Sequence, residues 1–200
     1  MNSVERFIDK FVPENYNIFL EINRKEKTFS GNVAISGEAL SDQVSFHQKN
    51  LTISSVLLDN QPVEFEEDDA REAVDLKLPE TGSMTLVLEF SGHITDNMTG
   101  IYPSYYKVDG VKKEVIATQF ESHFAREAFP AIDEPEAKAS FDLAIKFDQE
   151  EGEVVISNMP ETNVDLRQET GVWTFETTPR MSSYLLAFAL GDLQAKKAAT

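Results

Sequence analysis

The sequence predicts an all-β domain: a large antiparallel β-sandwich, two sheets in a saddle-like arrangement, with one or two short helical turns. Three observations carry this. Apolar and polar residues alternate over many short runs, the period of two that a half-buried strand requires. Turn signals such as Asp59-Asn60-Gln61-Pro62 and Pro79-Glu80-Thr81-Gly82 separate those runs. The 200 residues are 41% hydrophobic and include fourteen Phe, enough to fill a sizeable core without disulfide or metal staples.

Taken along the chain, Tyr16, Ile18, Leu20 and Ile22 alternate with Asn17, Phe19, Glu21 and Asn23. Phe29, Val33 and Ile35 form the next strand, in which Gly31 marks a bulge or a close backbone approach. Val44 to Phe46 and Leu51 to Leu58 follow, then Ala73 to Leu78 between the two turns. Met84, Leu86, Leu88 and Phe90 alternate cleanly, and Val115 to Phe120 reads as a strand. Phe141, Leu143, Ile145 and Phe147 alternate with Asp142, Ala144 and Lys146, a one-sided strand. Val172 to Glu176 and Tyr184 to Leu190 close the set, with Trp173 read as a packing residue. Many short strands with regular turns indicate a sandwich or barrel. The Ala-Lys tail after Leu193 reads as a linker, so the expected division is a domain over 1–193 and a linker over 194–200.

The net charge of −17 argues against nucleic acid, whose phosphates demand Lys and Arg, and against anionic membrane surfaces. Eight acids and two bases fall between Gln61 and Glu80, a pattern that reads as a solvated loop and strand face. The loop Glu64 to Asp69 lacks the spaced ligands and turn Gly of an EF-hand. There is no cysteine, so neither a disulfide framework nor a thiolate metal site is available. MNSVERFIDKF has charges throughout and no apolar signal core. No run approaches the roughly 20 apolar residues of a membrane span. The expected location is cytoplasmic.

The richest segment is Thr118 to Leu143, TQFESHFAREAFPAIDEPEAKASFDL, with eight charged residues between two strand-like runs. Connections beyond about 12–15 residues are uncommon in compact domains and are usually functional or disordered. Phe120, Phe124, Phe129 and Phe141 argue against disorder. If Val115 to Phe120 is a strand, Gln119 and Glu121 share a face. That places an amide beside a carboxylate: either a recognition pair for an amine-bearing ligand or a solvated strand end. In Phe129-Pro130-Ala131-Ile132-Asp133-Glu134-Pro135, Asp133 is positioned to cap a short helix from Pro135 to Ala139. A structural turn is the better reading of that run. His123 is expected to be a loop residue bonded to its neighbours.

TQFESHFAREAFPAIDEPEAKASFDL resembles the corresponding segment of the aminopeptidase N family, the gluzincin-type zinc aminopeptidases. Three further blocks agree in order. Thr99-Gly100-Ile101-Tyr102 with Ser104 and Tyr106 is similar to the family's TGxYxSxY run, and Val155-Ile156-Ser157-Asn158-Met159-Pro160 to its SNMP turn. TTPRMSSYLLAFAL, Thr177 to Leu190, is similar to the strand closing its first domain. The resemblance spans at least Tyr16 to Leu193 and looks closest to the bacterial, lactic-acid type. It implies a zinc enzyme that removes N-terminal residues from peptides, with metal-activated water attacking the first peptide carbonyl. Matching TQFE, Glu121 would bind the substrate's α-amino group and Gln119 would line the pocket for the first side chain. Phe120 and Ser122 depart from some relatives, which leaves the side-chain preference open.

A zincin also needs H-E-x-x-H. His47, His93 and His123 are isolated, and none is followed by Glu. No catalytic residue and no zinc ligand is therefore expected in this chain. The resemblance implies a substrate-recognition N-terminal domain, inactive alone, whose zinc ligands and catalytic partner lie beyond Thr200. Its partners would be peptide substrates and the downstream catalytic domain, without nucleic acid or membrane. The competing class is a free-standing β-sandwich module for carbohydrate or protein. A domain belonging to a larger enzyme should expose an apolar face, expected around Phe120 to Phe129.

Overall fold

A computed structural model describes residues 5–194; most of the tail expected as a linker lies outside the described residues. Fourteen strands dominate the described residues. They are β1 (Phe11–Asn23), β2 (Thr28–Ala39), β3 (Gln43–His47), β4 (Thr52–Leu58), β5 (Gln61–Pro62), β6 (Phe65–Asp68) and β7 (Ala73–Lys77). After these come β8 (Gly82–His93), β9 (Gly100–Val108), β10 (Val111–Gln119), β11 (Ser140–Phe147), β12 (Val154–Ser157), β13 (Trp173–Thr174) and β14 (Phe188–Gly191). The single α-helix of the described residues is α1 (Val164–Thr170).

The all-β class holds, but the strands form three sheets rather than two. The seven-stranded sheet has the order β13-β11-β1-β2-β8-β4-β5, the four-stranded sheet β12-β14-β10-β9, and the three-stranded sheet β3-β7-β6. One pair is parallel: β1 and β11 run together from Asn15 beside Ser140 to Ile22 beside Phe147. A parallel pair needs a long crossover, here everything from β2 to the loop before Ser140. Alternation reports which face a residue takes but not the direction of its neighbour.

The alternating residues sit where their period demands. Tyr16, Ile18, Leu20 and Ile22 are buried with Val33, Ile35, Leu86, Leu88, Phe141, Leu143 and Ile145. One contiguous core joins them to Ile116 and Leu190 of the four-stranded sheet and to Phe46 and Leu76 of the three-stranded sheet. Gly31 is a close approach: a Cβ there would stand 2.1 Å from the Phe19 carbonyl oxygen. The register slip of β1 against β2 lies elsewhere, between Pro13 and Asn15. Trp173 is buried, as expected for a packing residue.

The preferred reading of the Pro-bounded run as a structural turn holds, and the alternative short helix does not form: residues 135–139 make turns, Ala137 N bonds Glu134 O at 2.9 Å, and Ala139 bridges to Met181. Asp133 caps no helix over 135–139, because Arg126 and Ser183 take its carboxylate. The helix that does form, α1, was not foreseen. Its signals are present: the Asn163 side chain accepts from Leu166 N, and Gly171 takes a left-handed φ of 75°. No apolar periodicity accompanies them, since α1 buries none of its residues.

Candidate functional site

β10 delivers Gln119 to the rim of the four-stranded sheet, opposite Gly100. The strand stops there. Phe120 turns inward, 2% exposed, and meets Phe129 edge-on at 6.0 Å between ring centroids. Glu121 and Ser122 follow on the surface, joined by a cis peptide. Gln119 Nε2 donates to the Glu121 backbone oxygen at 3.4 Å. The amide and the carboxylate are thus neighbours, although not as two side chains of one continuous strand. Among the described residues, no protein donor meets the Glu121 carboxylate. His123 stacks on Phe124 at 4.7 Å, and its Nδ1 lies 2.8 Å from Ser122 Oγ, the neighbour-bonded loop residue the sequence indicates.

Beneath this surface the loop is pinned on all sides. Ile132 N donates to the Tyr16 hydroxyl at 3.0 Å, and Asp133 N to His47 Nδ1 at 3.1 Å. His47 and Ala131 exchange backbone bonds of 2.7 and 3.1 Å, an isolated bridge from β3. The Asp133 side chain is 1% exposed. One oxygen accepts from Ser183 Oγ at 2.6 Å and the other from Arg126 Nε at 3.2 Å. Arg126 also reaches Glu72 at 3.0 Å, and Lys49 joins Glu72 at 2.8 Å. Glu127 accepts from Thr99 Oγ1 at 2.9 Å. Burial raises the Glu72 carboxyl, but hydrogen bonds from Lys49 and Arg126 outweigh it and hold the group below the usual carboxylate range.

The apolar face expected around Phe120 to Phe129 is not there. Phe120 and Phe129 are core residues and Phe124 is half-buried. Phe129 packs edge-on against Tyr16, which stacks on Phe141 at 5.1 Å. These rings hold the loop to the domain and leave none of their faces for a partner.

Burial, reinforced by Arg126, pushes the His47 imidazole down to about 3. The unfolded imidazole titrates near 6.5, so the unfolded chain takes the proton first. The stability tied to neutral His47 is complete above pH 6.5 and is lost as pH falls toward 3. Wild type should lose about 2 kcal/mol more than His47→Gln between pH 6.5 and pH 5, at about 1.4 kcal/mol per pH unit. Urea melts at both pH values measure this; equal losses would place the acid sensitivity elsewhere.

A profile described as the peptidase M1 N-terminal domain matches residues 12–185. The chain belongs to that family. Aminopeptidase N of Lactococcus lactis subsp. lactis is 68% identical over 199 residues, covering 99% of this chain. Aminopeptidase N of Lactobacillus delbrueckii subsp. lactis is 49% identical over 96% of the chain, and puromycin-sensitive aminopeptidase of Caenorhabditis elegans 37% identical over 94%. The chain spans only 23%, 22% and 21% of these relatives' own lengths.

Among the described residues, no three His, Asp or Glu side chains gather closely enough to hold an ion. His47 is buried in β3 with Nδ1 already accepting from Asp133 N, His93 ends β8, and His123 lies on the exposed loop. The Glu121 carboxylate is exposed and has no protein donor among the described residues, on a loop whose buried side is hydrogen-bonded to the core. Sequence reasoning proposed Gln119 and Glu121 as candidates and gave no sign of the frame of Arg126, Asp133, Glu72 and Ser183 beneath them. Glu72 is 54 residues from Arg126 and Ser183 is 50 from Asp133, so no local pattern links them.

Proposed function

We propose that the full-length protein is a zinc aminopeptidase that removes N-terminal residues from peptides, and that this domain recognises the substrate's amino end. Glu121 would receive the free α-ammonium, and Gln119 would line the pocket for the first side chain. The observation that carries the reading is the Glu121 carboxylate itself, free of protein donors beside Gln119 on a loop fixed from below. A charged hydrogen bond from an ammonium would complete it. The names of the relatives and the family match support the reaction class. The zinc would be held by residues beyond this chain, and the domain alone would be inactive. The alternative, a free-standing carbohydrate- or protein-binding module, draws only on the fold.

The test compares amino-acid anilides with free and acetylated amino groups. The full-length protein should cleave only the free form, lose activity on chelation and regain it with zinc, while the 200-residue chain cleaves neither. Equal cleavage of both forms would remove the amino-end role from Glu121. Turnover by the short chain would overturn the division of labour.

A further inference from the structure

The four-stranded sheet turns one face to the core. Pro103, Ile116, Leu190 and Val155 lie in one row across β9, β10, β14 and β12, and all four are buried. The neighbouring row points the other way. It consists of Tyr102, Ala117, Ala189 and Ile156. Ile156 is 55% exposed and the other three are half-buried. By register Ser104, Val115, Gly191 and Val154 continue the same face, although Gly191 is buried and Val154 packs partly against the core. None of these eight positions carries a charge, in a chain that is 26% charged.

A solvated face of an antiparallel sheet is normally polar. The outer face of the seven-stranded sheet intersperses polar and charged residues with a few apolar ones: β1 turns Asn17, Phe19, Glu21 and Asn23 outward, and β8 turns Thr85, Val87, Glu89 and Ser91. The four-stranded sheet breaks the rule, and contiguous exposed apolar surface marks an interaction site. Four strands at about 4.8 Å and about six residues at about 3.3 Å make a face of roughly 400 Å². With its partner counted, roughly 800 Å² would be buried, inside the range of inter-domain contacts.

Two observations identify the occupant. The relatives continue well beyond the length of this domain, which is 23% of the Lactococcus lactis subsp. lactis protein. The chain leaving β14 is also held on this same side. Tyr106 and Lys113 extend the outer face, and they bond Asp192 O at 3.0 Å and Asp192 Oδ2 at 2.9 Å. At the opposite end of the face stand Gln119 and then Glu121. We propose that the outer face of the four-stranded sheet seats the polypeptide that follows this domain in the full-length protein. The contact would be apolar and centred on Ile156, Ala189, Ala117 and Tyr102. It rests on the relatives' greater length and on the position of Asp192, and is independent of any role for Glu121.

Hydroxyl-radical footprinting of the full-length protein tests it, with each rate normalised to the intrinsic reactivity of its residue type. Ile156 and Tyr102 should be modified several-fold more slowly than the exposed reference residues Leu40 and Val164. Ala117→Arg should lower the melting temperature and restore modification of Ile156; Ile156→Lys should do the same to Tyr102. Modification of Ile156 at the rate of Leu40 would overturn the proposal. So would protection that disappears on dilution, which would assign the face to a second copy. Normal activity against anilides would not rescue it.

Discussion

Glu121→Gln in the full-length protein is expected to lower kcat/KM for amino-acid anilides by about 10- to 150-fold. A charge-assisted hydrogen bond contributes roughly 1.5–3 kcal/mol net, and about 1.4 kcal/mol is one decade. The substitution keeps the shape of the side chain and removes only its charge. Glu121 makes no ion pair among the described residues, so its loss should not disturb the fold, and the melting temperature should stay at the wild-type value. That pairing of lost activity with unchanged stability separates recognition from structure. The loss should also depend on the substrate. It should be large where the amino group is free and small for contacts along the rest of a peptide. Gln119→Ala, by contrast, should change which first residue is preferred, because it reshapes the rim without touching the ammonium. A Glu121→Gln enzyme with wild-type kcat/KM would return Glu121 to a solvated loop carboxylate.

What could be read in the sequence divides along a physical line. Period-two alternation reports burial directly, so Tyr16 to Ile22, Met84 to Phe90 and Phe141 to Phe147 fell on strands with the expected faces buried. It says nothing of pairing, so the parallel register of β1 with β11 and the split into three sheets were out of reach. Short or irregular strands were lost as well. Phe65–Asp68 is mostly acidic, and Gly100–Val108 contains Pro103, a residue ordinarily kept from sheet interiors. At the site, local spacing brought Gln119 and Glu121 together because two residues cannot lie far apart. The same reasoning left a helix cap open for Asp133 beside the preferred structural turn, because its partners Arg126 and Ser183 become visible only in the fold. The Phe-rich loop suggests a docking surface, but Phe129 packs over Tyr16 and Phe120 against Phe129, while the surface apolar row lies across four strands that no single stretch of sequence displays.

Arg126→Met should be the most damaging substitution at the loop, destabilising the domain by about 3–5 kcal/mol, the usual result of removing one partner of a buried ion pair. Arg126 has 12% of its side chain exposed and Asp133 1%. Without the guanidinium, Asp133 Oδ2 keeps only the Arg126 backbone N–H at 3.3 Å, while Oδ1 keeps Ser183 Oγ. Glu72 matters less, because it is 31% exposed and retains Lys49; exposed pairs contribute about 0–1 kcal/mol. The penalty therefore belongs to the stranded Asp133 charge, and Arg126→Met combined with Asp133→Asn should recover much of it. An amide can still accept from Ser183, and it carries no charge to leave unpaired. Total stabilities of only about 5–15 kcal/mol make the single change easy to see in urea melts. The functional consequence follows from geometry. Arg126 ties the start of the loop to Asp133, so its loss frees the segment that positions Glu121. Conditions that keep Arg126→Met folded should still show a reduced kcat/KM, restored in part by the double variant. A single variant within 1 kcal/mol of wild type, the range of an exposed pair, would show that the rings and backbone bonds hold the loop without the buried charges.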